Sequence, residues 1–147
     1  MIIDGKNAVL GRLASYAAKE ALKGEEIIIL NCKQIIISGN KKNITNEFQQ
    51  KRKRVGFSQK GPKYPRDSEK IVKRAIRGML PDHREGRGRI AFKKIKCYSG
   101  IPEKYLDSKK LSLNTGDKNK FIEVQEVFKW IKLLHLEKEK LQLQEQP

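Results

Sequence analysis

Between Leu10 and Leu22 the apolar residues fall at helical intervals, and the chain then runs Ile27-Ile28-Ile29-Leu30 without a polar interruption. Leu10, Leu13, Ala14, Ala17, Ala18, Ala21 and Leu22 share one stripe of a 3.6-residue period, which predicts a helix stopped at Gly24. Ile2-Ile3 predicts a short strand ended by Gly5. A β-branched run that is apolar on both sides suits a central parallel strand covered by helices above and below. Strand, helix and strand within the first 31 residues make a βαβ unit, for which a right-handed crossover is the rule. Ile35-Ile36-Ile37 repeats the pattern and is expected as a further strand, broken at Ser38-Gly39. The chain is therefore expected to be α/β around a mainly parallel sheet.

Beyond Gly39 the character of the sequence changes. Residues 40–54 are polar and basic, with Ile44 and Phe48 as the only apolar pair, which predicts a helix with a thin buried stripe. Gly56, Gly61, Pro62 and Pro65 mark residues 55–66 as a loop. A second amphipathic helix is expected to follow, with Ser68 as N-cap, Ile71, Val72, Ala75, Ile76 and Met79 on its apolar face, and Pro81 as its end. Residues 84–94 predict a short basic helix feeding a strand at 95–98, closed by Ser99-Gly100-Ile101-Pro102. Residues 103–120 read as loop, 121–124 as a short strand, and Val127, Trp130, Ile131 and Leu134 as the stripe of a last helix. Residues 1–136 are expected to form one domain, with the Glu/Lys/Gln-rich 137–147 as a charged extension.

Charge narrows the partner. The chain of 147 residues carries a net charge of +16, and residues 41–94 alone hold 18 basic and 5 acidic side chains. Residues 1–40 hold 5 and 4, and residues 103–147 hold 9 and 8, so both flanks are nearly balanced. Charge serving only solubility has no reason to concentrate in this way, whereas a bound polyanion relieves the self-repulsion. Eight of the nine arginines lie in the same stretch. Guanidinium groups grip phosphate bidentately and stack on bases, so the enrichment points to nucleic acid.

The candidate contacts are Arg12, Lys41 and Lys42, the run Lys51-Arg52-Lys53-Arg54, then Lys60, Lys63 and Arg66 in the Gly/Pro loop. Lys70, Lys73, Arg74, Arg77, Arg84, Arg87, Arg89, Lys93 and Lys94 complete the set. Phe57 and Tyr64, interleaved among them, are candidates to stack on unpaired bases. Gly61, Gly86 and Gly88 are expected to let backbone approach a ribose-phosphate chain. Spread over helix, loop and helix, these residues suit docking on a shaped surface better than reading a groove.

Other chemistries find little support. Gly5-Lys6 through Gly11-Arg12 lacks the spacing of a nucleotide-binding loop, although Arg12 at a helix start suits a single phosphate. Cys32 and Cys97 sit in apolar runs and are expected to be small reduced core residues; with His83 and His135 they give no metal-ligand spacing. Neither a carboxylate pair nor a nucleophile-base motif stands out, so no enzyme, cofactor or metal is expected. Apolar runs long enough to span a bilayer are lacking and Met1-Ile2-Ile3-Asp4 does not read as a signal peptide, so a cytosolic setting is expected.

Particular strings also carry a family resemblance. Gly11-Arg12-Leu13-Ala14-Ser15 with Ala17-Ala18-Lys19, then Asn31 and Ile37-Ser38-Gly39, resembles the opening of the large-subunit ribosomal protein thirteen family. Gly61-Pro62, Arg66 and Arg77-Gly78-Met79-Leu80-Pro81 are similar to its central signature, and Tyr98-Ser99-Gly100-Ile101-Pro102 resembles the motif closing its core. The strings come in the family's order over roughly residues 1–135, and the Gly-Pro loop resembles the archaeal and eukaryotic branch. The resemblance implies a three-layer α/β/α domain with basic helix-loop extensions. It implies a non-enzymatic role in the large ribosomal subunit, binding and stabilising its RNA during assembly, beside neighbouring ribosomal proteins in the cytoplasm. Arg12, Arg66, Arg74 and Arg77 fall in matching motifs, which implies RNA contact, while Met79 and Leu80 are expected in the core. Two departures stand out: Asp82-His83 where His-Lys is frequent, and Ser68 near a common proline. A free-standing nucleic-acid-binding regulator is the alternative reading.

Overall fold

The apolar runs become strands, and the helical stripe between the first two becomes a helix. In this computed structural model, which describes residues 1–54, 64–113 and 120–127, β1 is Ile2–Asp4, α1 is Leu10–Leu22 and β2 is Ile27–Leu30. β1 and β2 run parallel with Ile3 opposite Ile29, so the βαβ unit forms as expected. β4 (Ile95–Cys97) joins the outer side of β2 and β5 (Leu111–Ser112) joins β1, giving a four-stranded parallel sheet in the order β4-β2-β1-β5. Helices flank this sheet in a three-layer α/β/α arrangement.

The chemistry of α1 explains its place. Leu13, Ala14, Ala17, Ala18 and Ala21 are buried on one face, and the run of alanines lets its neighbours come close. α3 (Ser68–Met79) and α4 (Gly86–Lys93) pack against α1. Ile3, Leu13, Ile27, Ile29, Ile35, Ile76 and Ile95 are all fully buried within one cluster. Each such side chain contributes roughly 1.5–3 kcal/mol by leaving water, so this cluster carries most of the fold. Cys32 and Cys97 are free thiols, and Cys32 lies wholly inside the cluster. A hydrogen bond with Cys97, followed by burial, pushes the Cys32 thiol far above the ordinary thiol range and keeps it protonated.

Several expectations need correction. The third isoleucine run does not join the parallel sheet. Its strand, β3 (Ile36–Ser38), pairs antiparallel with β6 (Phe121–Glu123) in a separate two-stranded sheet, with Ile37 opposite Ile122. Triple isoleucine marks burial on both faces, and either sheet can supply that. Residues 103–120 are not simply loop, because β5 forms there with both residues exposed, an edge strand too short to leave a period. Asp67 rather than Ser68 is the N-cap of α3, and its side chain accepts no cap bond there. Met79 is 45% exposed while Leu80 is buried, so only one of the two residues expected in the core lies there. The helix ends at Met79, and the chain turns before the stripe comes round again.

Candidate nucleic-acid interface

Basic residues reach the surface through three helices and the segment leading into the second. α2 spans Lys41–Lys53 and begins at Asn40, whose side-chain oxygen accepts from the Lys42 amide. Only Ile44 and Thr45 are buried, the Thr45 hydroxyl donating to the Lys41 carbonyl at 2.8 Å. Lys41, Lys42, Lys53 and Arg54 are exposed, and Lys51 and Arg52 are half-buried. Lys51 pairs with Glu47 one turn earlier, and Lys41 reaches Glu126 at 3.3 Å. Three cations in the last turn, Lys51, Arg52 and Lys53, complement the carbonyl end of the helix dipole.

Burial first, and then the charge of Arg66, hold the Arg52 guanidinium below its ordinary pKa. The Arg74 guanidinium lies 4.0 Å from the centre of the Tyr64 ring. One face of that ring is thus already occupied by a cation, a contact worth about 0.5–1 kcal/mol at an exposed site. A base stacking on Tyr64 would have to use the other face. Phe57, Lys60 and Lys63 lie outside the described residues, as do Gly61, Trp130, Ile131, Leu134 and His135.

α3 buries Ile71, Val72 and Ile76 and turns Lys70 outward, where it pairs with Asp67 at 2.7 Å. Lys73, Arg74 and Arg77 are half-buried beside the apolar stripe. Lys73 sits 5.1 Å over the Phe92 ring, whose centroid is 6.2 Å from that of His83 in an edge-on contact. Glu69 hydrogen-bonds within the protein: its Oε1 accepts from both the amide and the hydroxyl of Ser99, at 2.8 and 2.7 Å. That pair of bonds ties the start of α3 to the turn after β4.

α4 carries Arg87, Arg89 and Lys93, all exposed, with Arg84 exposed just before it. Its approach to the preceding turn depends on Gly88, which is buried; a Cβ there would collide with the backbone carbonyls of Pro81 and Asp82. Gly88 is therefore required by packing within the protein, and the expectation that it lets a ribose-phosphate chain approach is corrected. Gly86, by contrast, is exposed with open space around it. Lys94 is half-buried and donates to the Gly24 carbonyl at 2.6 Å, closing α4 against the end of α1. Arg12 is exposed on the first turn of α1. Sequence reasoning missed Ile90, which is 60% exposed among the cations of α4, and placed Met79 inside. The signal for Ile90 was its position one residue before buried Ala91, off the inward stripe.

Groups of three or more His, Cys, Asp or Glu side chains able to hold a metal ion do not occur among the described residues. Among the described residues no helix is long and apolar enough to cross a membrane.

The family model described as Ribosomal protein L13 matches residues 1–104. The chain belongs to the ribosomal protein L13 family. It is 50% identical over 106 residues to the large ribosomal subunit protein uL13 of Methanococcus maripaludis, covering 70% of this chain and 77% of the relative. Similarity to the protein of the same name from Methanocaldococcus jannaschii reaches further, 41% over 133 residues, covering 87% of this chain and 94% of the relative. A third archaeal relative, from Methanosphaera stadtmanae, is 49% identical over 105 residues, covering 69% and 73%. The L13 family is one of structural ribosomal proteins and not of enzymes, and these archaeal relatives agree with the branch that the motifs resemble.

Proposed function

We propose that this L13-family chain is a structural constituent of the large ribosomal subunit that binds and stabilises large-subunit ribosomal RNA, during assembly and in the mature particle. The observation that carries the reading is the confinement of surplus charge to residues 41–94, of which α2, α3 and α4 carry twelve basic side chains, beside flanks that are nearly neutral. Exposed lysines and arginines neutralise phosphates, and the Tyr64 ring holds the Arg74 guanidinium against one of its faces. Residues 1–136 act as one domain, with neighbouring large-subunit proteins as further partners in the cytoplasmic ribosome. Co-sedimentation tests the reading. The tagged chain is expected in the large-subunit fractions of a cell lysate, and a chain staying at the top of the gradient at low salt would contradict it.

A further inference from the structure

α2 is a helix that its own sequence stabilises only through a cap, a single ion pair one turn apart and its basic last turn. It has 13 residues, close to the length below which isolated helices are marginal in water, and it carries five cations against the single carboxylate Glu47. Its inward stripe is thin: Phe48 touches the edge of the main cluster, and the buried side chains that Ile44 meets come from the far end of the chain. Ile44 lies in a small second core with Ile122 and Val127, both fully buried, and Phe48 packs against the same group. The Gly39 amide just before α2 donates to the Lys120 carbonyl at 3.0 Å, and the Lys41–Glu126 ion pair adds a polar tie. Even the approach is tight at Gly39, where a Cβ would stand 3.3 Å from the Ile44 side chain at a φ of +136°. The contributing segment, residues 120–127, lies beyond the residues 1–104 that match the family model.

We propose that residues 120–127 are the positioning element of the basic helix: β6 lays Ile122 under α2, and the helical residues 124–127 that follow add Val127 and Glu126. This inference rests on the reading of α2 as RNA-binding. Ile122 does not itself touch RNA; it acts by holding Lys41, Lys42 and the 51–54 run in one orientation. Loss of the platform frays α2, so that RNA binding must first order the helix, while the main cluster around α1 keeps its members, because Ile122 and Val127 lie outside it and Val124, the residue of this segment that lies inside it, is unchanged.

The test uses the full chain with Ile122→Ser, Val127→Ala and the conservative Ile122→Val, read by amide hydrogen exchange and by binding to transcribed large-subunit RNA. Ile122→Ser is expected to lower protection of the α2 amides by at least about tenfold while α1 amides keep theirs, since the two belong to separately opening units. RNA affinity is expected to fall in parallel and Ile122→Val to restore both. Val127→Ala gives the same pattern in weaker form and serves if the serine variant does not fold. Unchanged α2 protection in the variants, α1 and α2 losing protection together, or α2 amides unprotected in the wild type would each overturn the proposal. Failure of the RNA reading is separable: neutralising residues 51–54 would then leave RNA affinity unchanged while the exchange pattern still followed Ile122.

Discussion

Two helices of equal length, α1 and α2, show two ways in which a sequence is held in the same conformation. Each spans 13 residues. α1 buries five side chains, needs no side-chain cap, and lies within the central cluster. α2 buries two, depends on the Asn40 cap, and meets a small second core supplied by residues 120–127. The first is determined by apolar periodicity. The second is a charged surface element held by its cap, by Phe48 at the edge of the central cluster and by a distant segment of the chain. Of these two helices, the one proposed to meet RNA is thus the one less able to specify its own shape.

Mutations can separate the two helices further. Leu13→Ala in α1 removes a fully buried side chain and is expected to cost about 2–5 kcal/mol in urea unfolding. RNA affinity of the molecules that remain folded is expected to hold; a matching drop in affinity would erase the division between body and interface. Replacing Lys51, Arg52, Lys53 and Arg54 by glutamine is expected to do the reverse. In filter binding, up to about four fewer phosphates should be neutralised, flattening the slope of log affinity against log salt by as much as roughly 3 units. The urea midpoint should stay close to wild type. Next in size is Asn40→Ala, expected to lose about 1 kcal/mol of local helix stability. Its check is circular dichroism and α2 amide exchange, with α1 unaffected. The smallest effect belongs to Glu126→Gln, which removes a partly exposed ion pair with Lys41 worth about 0–1 kcal/mol. A larger change at this position would mean that the ion pair, and not the apolar contact of Ile44, anchors α2.

Much of the body was legible because its determinants are local. Helical spacing from Leu10 and the run at Ile27 specify α1, β2 and their parallel pairing with β1, and Ile71, Val72 and Ile76 likewise mark α3. What stayed hidden depends on residues far apart in the chain. Nothing within Ile35-Ile36-Ile37 says that β3 pairs with Phe121–Glu123 instead of joining the parallel sheet. β5 has two exposed residues and hence no pattern to detect. At the interface, types of residue were readable but occupancy was not. Tyr64 qualifies as a base-stacking residue by composition, and only the fold shows Arg74 over its ring. Gly88 resembles a backbone-approach glycine, and only the fold shows that the approaching backbone is Pro81-Asp82. Glu69 counts as one negative charge in a basic run, yet it is committed to Ser99.

Equilibrium binding of the wild-type chain to large-subunit ribosomal RNA, followed across salt concentration, bears most directly on the claim that residues 41–94 neutralise RNA phosphates. With roughly 6–10 phosphates contacted, affinity is predicted to fall by about 10³–10⁵ between 50 and 200 mM salt. An affinity that changes by less than about tenfold over that range would contradict it.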